Sequence, residues 1–182
     1  MPLRPTDTLA VPRGRRLTLQ ADDIRYLFAY DRWATRRVLA LLDGLDPAVW
    51  SRADEVGERG LGSILVHHLG ASQRWRIGLQ SQGVEEGPEP ELEPLPTIDE
   101  LGERWQAEWG ALDAWLPTLT DGHVAYVHEG VPIWVMLAHV VNHGTQHRGE
   151  AAALLTAEGR SPGEIDLIFF AEELAEAGKP GT

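Results

Sequence analysis

LAHVVNHGTQHRGEAAALL, residues 137–155, decides how the rest of the chain is arranged. It reads as one helix carrying His139, His143 and His147 at four-residue steps. Side chains at i and i+4 lie on one helix face, about 6 Å apart along the axis. Two imidazoles at that spacing can chelate one metal ion. A histidine buried in a helix must also satisfy both ring nitrogens. The stretch is therefore half of a candidate metal site, and the remaining donors have to come from elsewhere in the chain.

Cysteine is absent from the 182 residues. Disulfides, zinc–thiolate sites and a cysteine nucleophile are excluded, and metal ligands must be His, Asp or Glu. The net charge of -12 argues against a nucleic-acid backbone as partner, because phosphate binding needs clustered Lys and Arg. The basic clusters at Arg13–Arg16 and Arg32–Arg37 read as a solvated tail and a helix face. No apolar run approaches the roughly 20 residues that span a bilayer. The first 20 residues lack an apolar block of signal-peptide length, so the expected location is cytoplasmic. Seven tryptophans point to a helical core rich in indole rings, with a few left to line a pocket.

The chain reads as an N-terminal extension, residues 1–19, followed by a single domain, residues 20–178. A first helix is expected from Asp22 to Leu42, with an apolar stripe of Ile24, Leu27, Phe28, Ala34, Val38, Leu41 and Leu45. Gly44 and Pro47 mark its exit. A second helix runs from Leu61 to Ser81 and opens into QGVEEGPEPELEPLP, a long acidic loop. Thr97 and Glu100 form a capping box for the third helix, which ends just before Pro117. GHVAYVH, residues 122–128, alternates weakly as a short strand would. Pro132 suits the first turn of the fourth helix, and Gly159 suits its stop. IDLIFFAEEL makes a short fifth helix. Four long amphipathic helices, with a long link between the second and third, specify an all-α four-helix bundle.

Helical phase sorts the histidines. With Leu61 at zero and about 100° per residue, His68 falls near −20°, inside the second helix's apolar stripe. His67 falls near −120°, at its edge. In the fourth helix, with Val140 at zero, His147 lies near −20°, His143 near −60° and His139 near −100°. His143 and His147 face the core together. His139 sits at the margin, where it could support a ligand rather than be one. His68, His143 and His147 are thus the expected ligand set, matching an open site of three protein donors plus water or substrate. The alternative is three core histidines satisfied by hydrogen bonds, with no metal.

The segment Trp134–Glu150, followed by Gly159-x-Ser161-Pro162-x-x-Ile165-Asp166-Leu167-Ile168, resembles the C-terminal signature of the DinB-like family of bacterial metal-binding four-helix bundles. The second-helix stretch SILVHHLGASQRW resembles the family's other signature. The resemblance covers roughly residues 20–175. It implies a divalent metal held by one histidine of the second helix and two of the fourth, which carries over to His68, His143 and His147. The His67-His68 doublet also admits a register one residue away. The resemblance implies a homodimer as well. Gln146 and Glu150 depart from the family pattern, which often has His and Gln at these places.

Some members of the family resemble thiol-dependent S-transferases, one branch isomerises maleylpyruvate, related domains occur in sulfoxide synthases, and others have no assigned activity. The expected function is therefore a metal-dependent, thiol-dependent transferase acting on a small molecule. The alternatives are a hydrolase using metal-bound water and a non-catalytic, metal-stabilised stress-response or binding protein. Imidazole donors suit Zn, Ni, Fe and Cu alike. Arg148 could orient an anionic group, but a surface salt bridge is the simpler expectation. Tyr30, Trp33 and Trp75 are more naturally core residues than pocket lining.

Overall fold

A computed structural model describes residues 19–53, 56, 59–81 and 94–178. The extension lies outside the described residues except for Leu19, which packs on the core. Most of the acidic loop lies outside them too.

Four long helices carry the fold: α1 (Ala21–Leu39), α3 (Leu61–Gln80), α4 (Ile98–Trp115) and α6 (Ile133–Ala157). Shorter pieces fill the ends: α2 (Pro47–Trp50), α5 (Asp121–Ala125), strands β1 (Val127–His128) and β2 (Val131–Pro132), and α7 (Leu167–Ala177). The helix expectations hold to within a residue or two at most ends. Thr97 caps α4 as its sequence requires: its hydroxyl accepts from the Glu100 backbone N–H at 3.2 Å, while the Glu100 carboxylate accepts from the Thr97 backbone N–H at 2.8 Å. α6 stops where Gly159 takes φ +76°, a conformation that favours glycine.

Residues 122–128 depart from expectation. Thr120 caps a helical turn over its first part, and only Val127 and His128 are extended, pairing with Val131 and Pro132 across a Glu129-Gly130 turn. Both turn residues have positive φ, 48° and 85°, as a tight two-residue hairpin requires. Pro132 serves as the N-cap of α6 rather than its first helical residue.

α6 packs against both α1 and α3, and α4 packs on α3. Side-chain pairs set the directions. His67 meets His147 and Trp75 meets His139, so α3 and α6 are antiparallel. His68 meets Trp105 and Arg76 meets Glu108, so α3 and α4 run parallel. Parallel neighbours cannot be joined by a tight turn, which explains the long connection between them. The core between the helices holds Ile24, Leu61, Leu65, Leu101, Trp105, Leu137 and Leu155, all shielded from solvent. Of the tryptophans, Trp50, Trp105, Trp109 and Trp115 are buried. Among the described residues, no helix is long and apolar enough to cross a membrane.

Candidate metal centre

The i, i+4 spacing on α6 brings His143 and His147 together: their rings lie 4.3 Å apart and their Nε2 atoms 3.1 Å apart. α3 supplies the third ring. His67 packs 4.9 Å from His147 and 5.3 Å from His143. One donor atom from each of the three lies within 4.8 Å of the others. Ligands about 2.0 Å from a tetrahedral ion stand roughly 3.3 Å from one another, so the Nε2 pair is already at chelating separation.

The surroundings suit a cation. His147 Nδ1 lies 2.7 Å from a Glu150 carboxylate oxygen, and the other Glu150 oxygen accepts from Gln146 Nε2 at 3.1 Å. An Nδ1–H donated to Glu150 leaves Nε2 as the free lone pair, the arrangement that orients a metal-binding histidine. Burial opposes the Glu150 charge, but the bonds from Gln146 and His147 hold its carboxyl below the ordinary value. Burial, and then the neighbouring His147 and His67, lower the His143 pKa to about 4, so the ring is neutral and able to ligate at physiological pH. His67 and His143 are half-buried and His147 is buried, so the cluster sits at the flank of the α3–α6 interface rather than sealed in the core.

Most of the chain, residues 18–178, matches the DinB family. The chain belongs to the DinB family. The same helical fold is seen in the crystal structure of a DinB-like protein from Bacillus cereus, at TM-score 0.64 and 18% identity, covering 81% of this chain and 99% of that one. No curated protein matches the chain.

The histidine cluster of the DinB chain takes His67 from the doublet, where phase selected His68. His68 does not join the three-histidine cluster, and His67 does. His68 is 2% exposed, its ring stands edge-on to Trp105 at 4.9 Å, and it lies 6.5 Å from His147. Burial, and then the charge of Arg148, push its pKa well below the usual imidazole value. The reason for the difference in placement is geometric. Phase measured against the apolar stripe finds the residue aimed at the bundle axis, where Trp105 sits. The three clustered rings gather at the flank of that stripe, one residue away. His139 is exposed and packs against Trp75 at 5.2 Å and His143 at 5.8 Å, outside the cluster.

Arg148 is not a surface residue. It is 1% exposed and ion-paired to Asp31 of α1, with hydrogen bonds to the Thr145 hydroxyl at 3.0 Å and the Thr35 hydroxyl at 3.3 Å. Its guanidinium lies 5.4 Å from the centre of the Tyr30 ring. Gly144 makes room for this group. A Cβ there would stand 2.5 Å from Asp31 Oδ1, 2.7 Å from His68 Nε2 and 2.8 Å from Arg148 Nη1. Sequence reasoning missed Asp31, though a signal existed: Asp31 and Thr35 occupy stripe positions between Phe28 and Val38. Glu108 is the same case on α4, buried between Trp105 and Leu112 and held by Arg76 at 2.8 Å. Tyr30 and Trp33 pack against Phe170 of α7, as core residues do, while Trp75 is partly buried beside His139.

Proposed function

We propose that the chain binds one divalent ion, Zn, Ni or Fe, through His67, His143 and His147, and acts as a metal-dependent transferase on a thiol cosubstrate. The observation that carries this reading is the convergence of three imidazole donors, one pair of them 3.1 Å apart and backed by Glu150. A divalent ion makes a coordinated thiol ionise near neutral pH, and the thiolate is the attacking form. The chain contributes no thiol of its own, since it lacks cysteine, so the thiol arrives with a small-molecule cosubstrate. His147 is held in one tautomer by Glu150, and His143 is kept neutral by burial. The partial exposure of His67 and His143 leaves the fourth position open to a second molecule. We further propose a homodimer, for which the exposed Leu167 and Leu174, seven residues apart on one side of α7, offer an apolar face.

Two measurements test the proposal separately. Elemental analysis after gentle purification is expected to give one divalent ion per chain. Less than a tenth of that, with no uptake on soaking, removes the metal reading. Incubating the loaded protein with low-molecular-weight bacterial thiols and electrophiles is expected to give conjugates above the chelated control. A bound ion with no conjugate for any thiol removes the transferase reading. Ester or amide cleavage in the same assay would favour metal-bound water instead.

A further inference from the structure

A second cavity lies away from the histidine cluster, at the end of the bundle where α3 finishes and α6 begins. Among the described residues it encloses about 610 Å³, within the range of small-molecule sites. Its walls include Trp115, Leu119, Ile133 and Tyr126, with Gln80, Thr118, His123 and His128 as polar members. None of the metal-cluster histidines lines it. Ile133 precedes His143 by ten residues, about 15 Å along the axis of α6.

Two features define what would fit. First, among the described residues no Asp, Glu, Lys or Arg lines the cavity, although the chain holds 28 acidic and 16 basic residues. An anion would find no counter-charge there and would approach a protein of net charge -12. A cation would find no carboxylate. The contents should be uncharged. Second, the His123 tautomer is set by the fold. The Thr120 backbone N–H donates to His123 Nδ1 at 3.2 Å, while the Thr120 hydroxyl accepts from the His123 backbone N–H at 3.2 Å, closing a capping box around α5. A neutral imidazole that accepts at Nδ1 carries its proton at Nε2. His123 therefore presents an N–H donor beside the rings and aliphatic side chains of Trp115, Leu119, Tyr126 and Ile133. Tyr126 is 61% exposed at the same wall, an aromatic surface that a ligand could cover.

We propose that this cavity is a binding site for a small uncharged molecule with an aromatic or alicyclic body and a carbonyl-type acceptor, received by His123 Nε2–H. The site is independent of the metal reading and stands whether or not the histidine cluster holds an ion.

The test is a nuclear magnetic resonance titration of the full isotope-labelled chain with acetophenone, and with benzoate as its charged counterpart. Acetophenone is expected to shift Leu119, Tyr126 and Ile133 saturably, with a Kd on the order of 1–10 mM for so small a ligand. Benzoate is expected to bind at least about tenfold more weakly, for want of a counter-charge. His123→Glu keeps a residue that closes capping boxes and removes the N–H donor. It should weaken acetophenone about fivefold, the loss of one neutral hydrogen bond. His143→Ala should leave the titration unchanged. The proposal is overturned if no saturable shifts occur, if they centre on His67, His143 and His147, if benzoate binds as well as acetophenone, or if folded His123→Glu binds as the parent does. The ligand comparison on the unmutated chain decides the matter even where that variant does not fold.

Discussion

Replacing Asp31 with alanine is the sharpest test of how the bundle is held at its centre. Arg148 is 1% exposed and Asp31 6%, and their ion pair joins α6 to α1. Removing one partner of a buried pair leaves the other charge uncompensated, typically a loss of about 3–5 kcal/mol. Here the cost should fall near the lower end, because Arg148 keeps the hydroxyls of Thr35 and Thr145 and the face of Tyr30. About 3 kcal/mol in a domain of this size lowers Tm by roughly 6–12 °C. Thermal and urea unfolding followed by circular dichroism would read it. The double variant Asp31→Leu with Arg148→Met removes both charges at similar volume, and should recover most of the loss, since buried pairs often do no better than apolar replacements. A loss below about 1 kcal/mol for Asp31→Ala, the range of exposed pairs, would refute the buried pairing. So would a double variant no more stable than the single one.

Four further outcomes are expected. His67→Ala and His143→Ala should each abolish stoichiometric metal in elemental analysis, while His68→Ala should retain it despite a lower Tm; the opposite pattern at residues 67 and 68 would restore His68 as the ligand. Glu150→Ala should weaken metal affinity about 10–100-fold through the loss of its hold on His147, read by competition with a chromogenic chelator. Gly144→Ala should destabilise by about 1–2 kcal/mol in urea unfolding, because crowding against Asp31, His68 and Arg148 outweighs the helix-propensity gain of alanine. In the metal-free protein, folded His143 titrates at about 4 and His68 well below 6.5, both chiefly through burial, whereas both titrate near 6.5 when unfolded; the unfolded chain therefore binds more protons between pH 4 and 6.5, and stability should fall on acidification through that window by up to ~1.4 kcal/mol per pH unit per histidine, with denaturant midpoints that rise on acidification counting against it.

Much of this was legible in the residues themselves. The 3.6-residue stripes placed the four long helices, the Thr97–Glu100 box placed the start of α4, and Gly159 placed the end of α6. The chelating pair on α6 followed from its spacing alone, because i and i+4 are neighbours whatever the tertiary structure. What depends on which neighbour a helix face meets was not legible. His67 and His68 differ by one residue in sequence, yet one joins His143 and His147 at the flank of α6 and the other is buried between Trp105 of α4 and Gly144 of α6. A stripe reports the direction of greatest burial. It does not report where two helices touch. Arg148 was hidden for a related reason: its partner is 117 residues away on α1, and no local pattern couples the two.

The two polar sites are built from adjacent residues, and this ties them mechanically. α3 presents His67 to the histidine cluster and His68 to the interior; α6 presents His147 to the cluster and Arg148 to Asp31. Neighbouring residues on a helix point about 100° apart, so each helix serves both sites within a single turn. Gly144, one residue beyond His143, lets the interior group close against α6 without pushing it outward. The rotation of α6 that aims His143 and His147 at His67 is thus the same rotation that seats Arg148 on Asp31. An ion pair of doubtful net worth for stability gains a reason to exist when it sets that rotation. Were the pair only a source of stability, its replacement by Leu and Met would leave metal affinity untouched. If it fixes the ligand geometry, the double variant will fold as firmly as the parent and still bind metal more weakly.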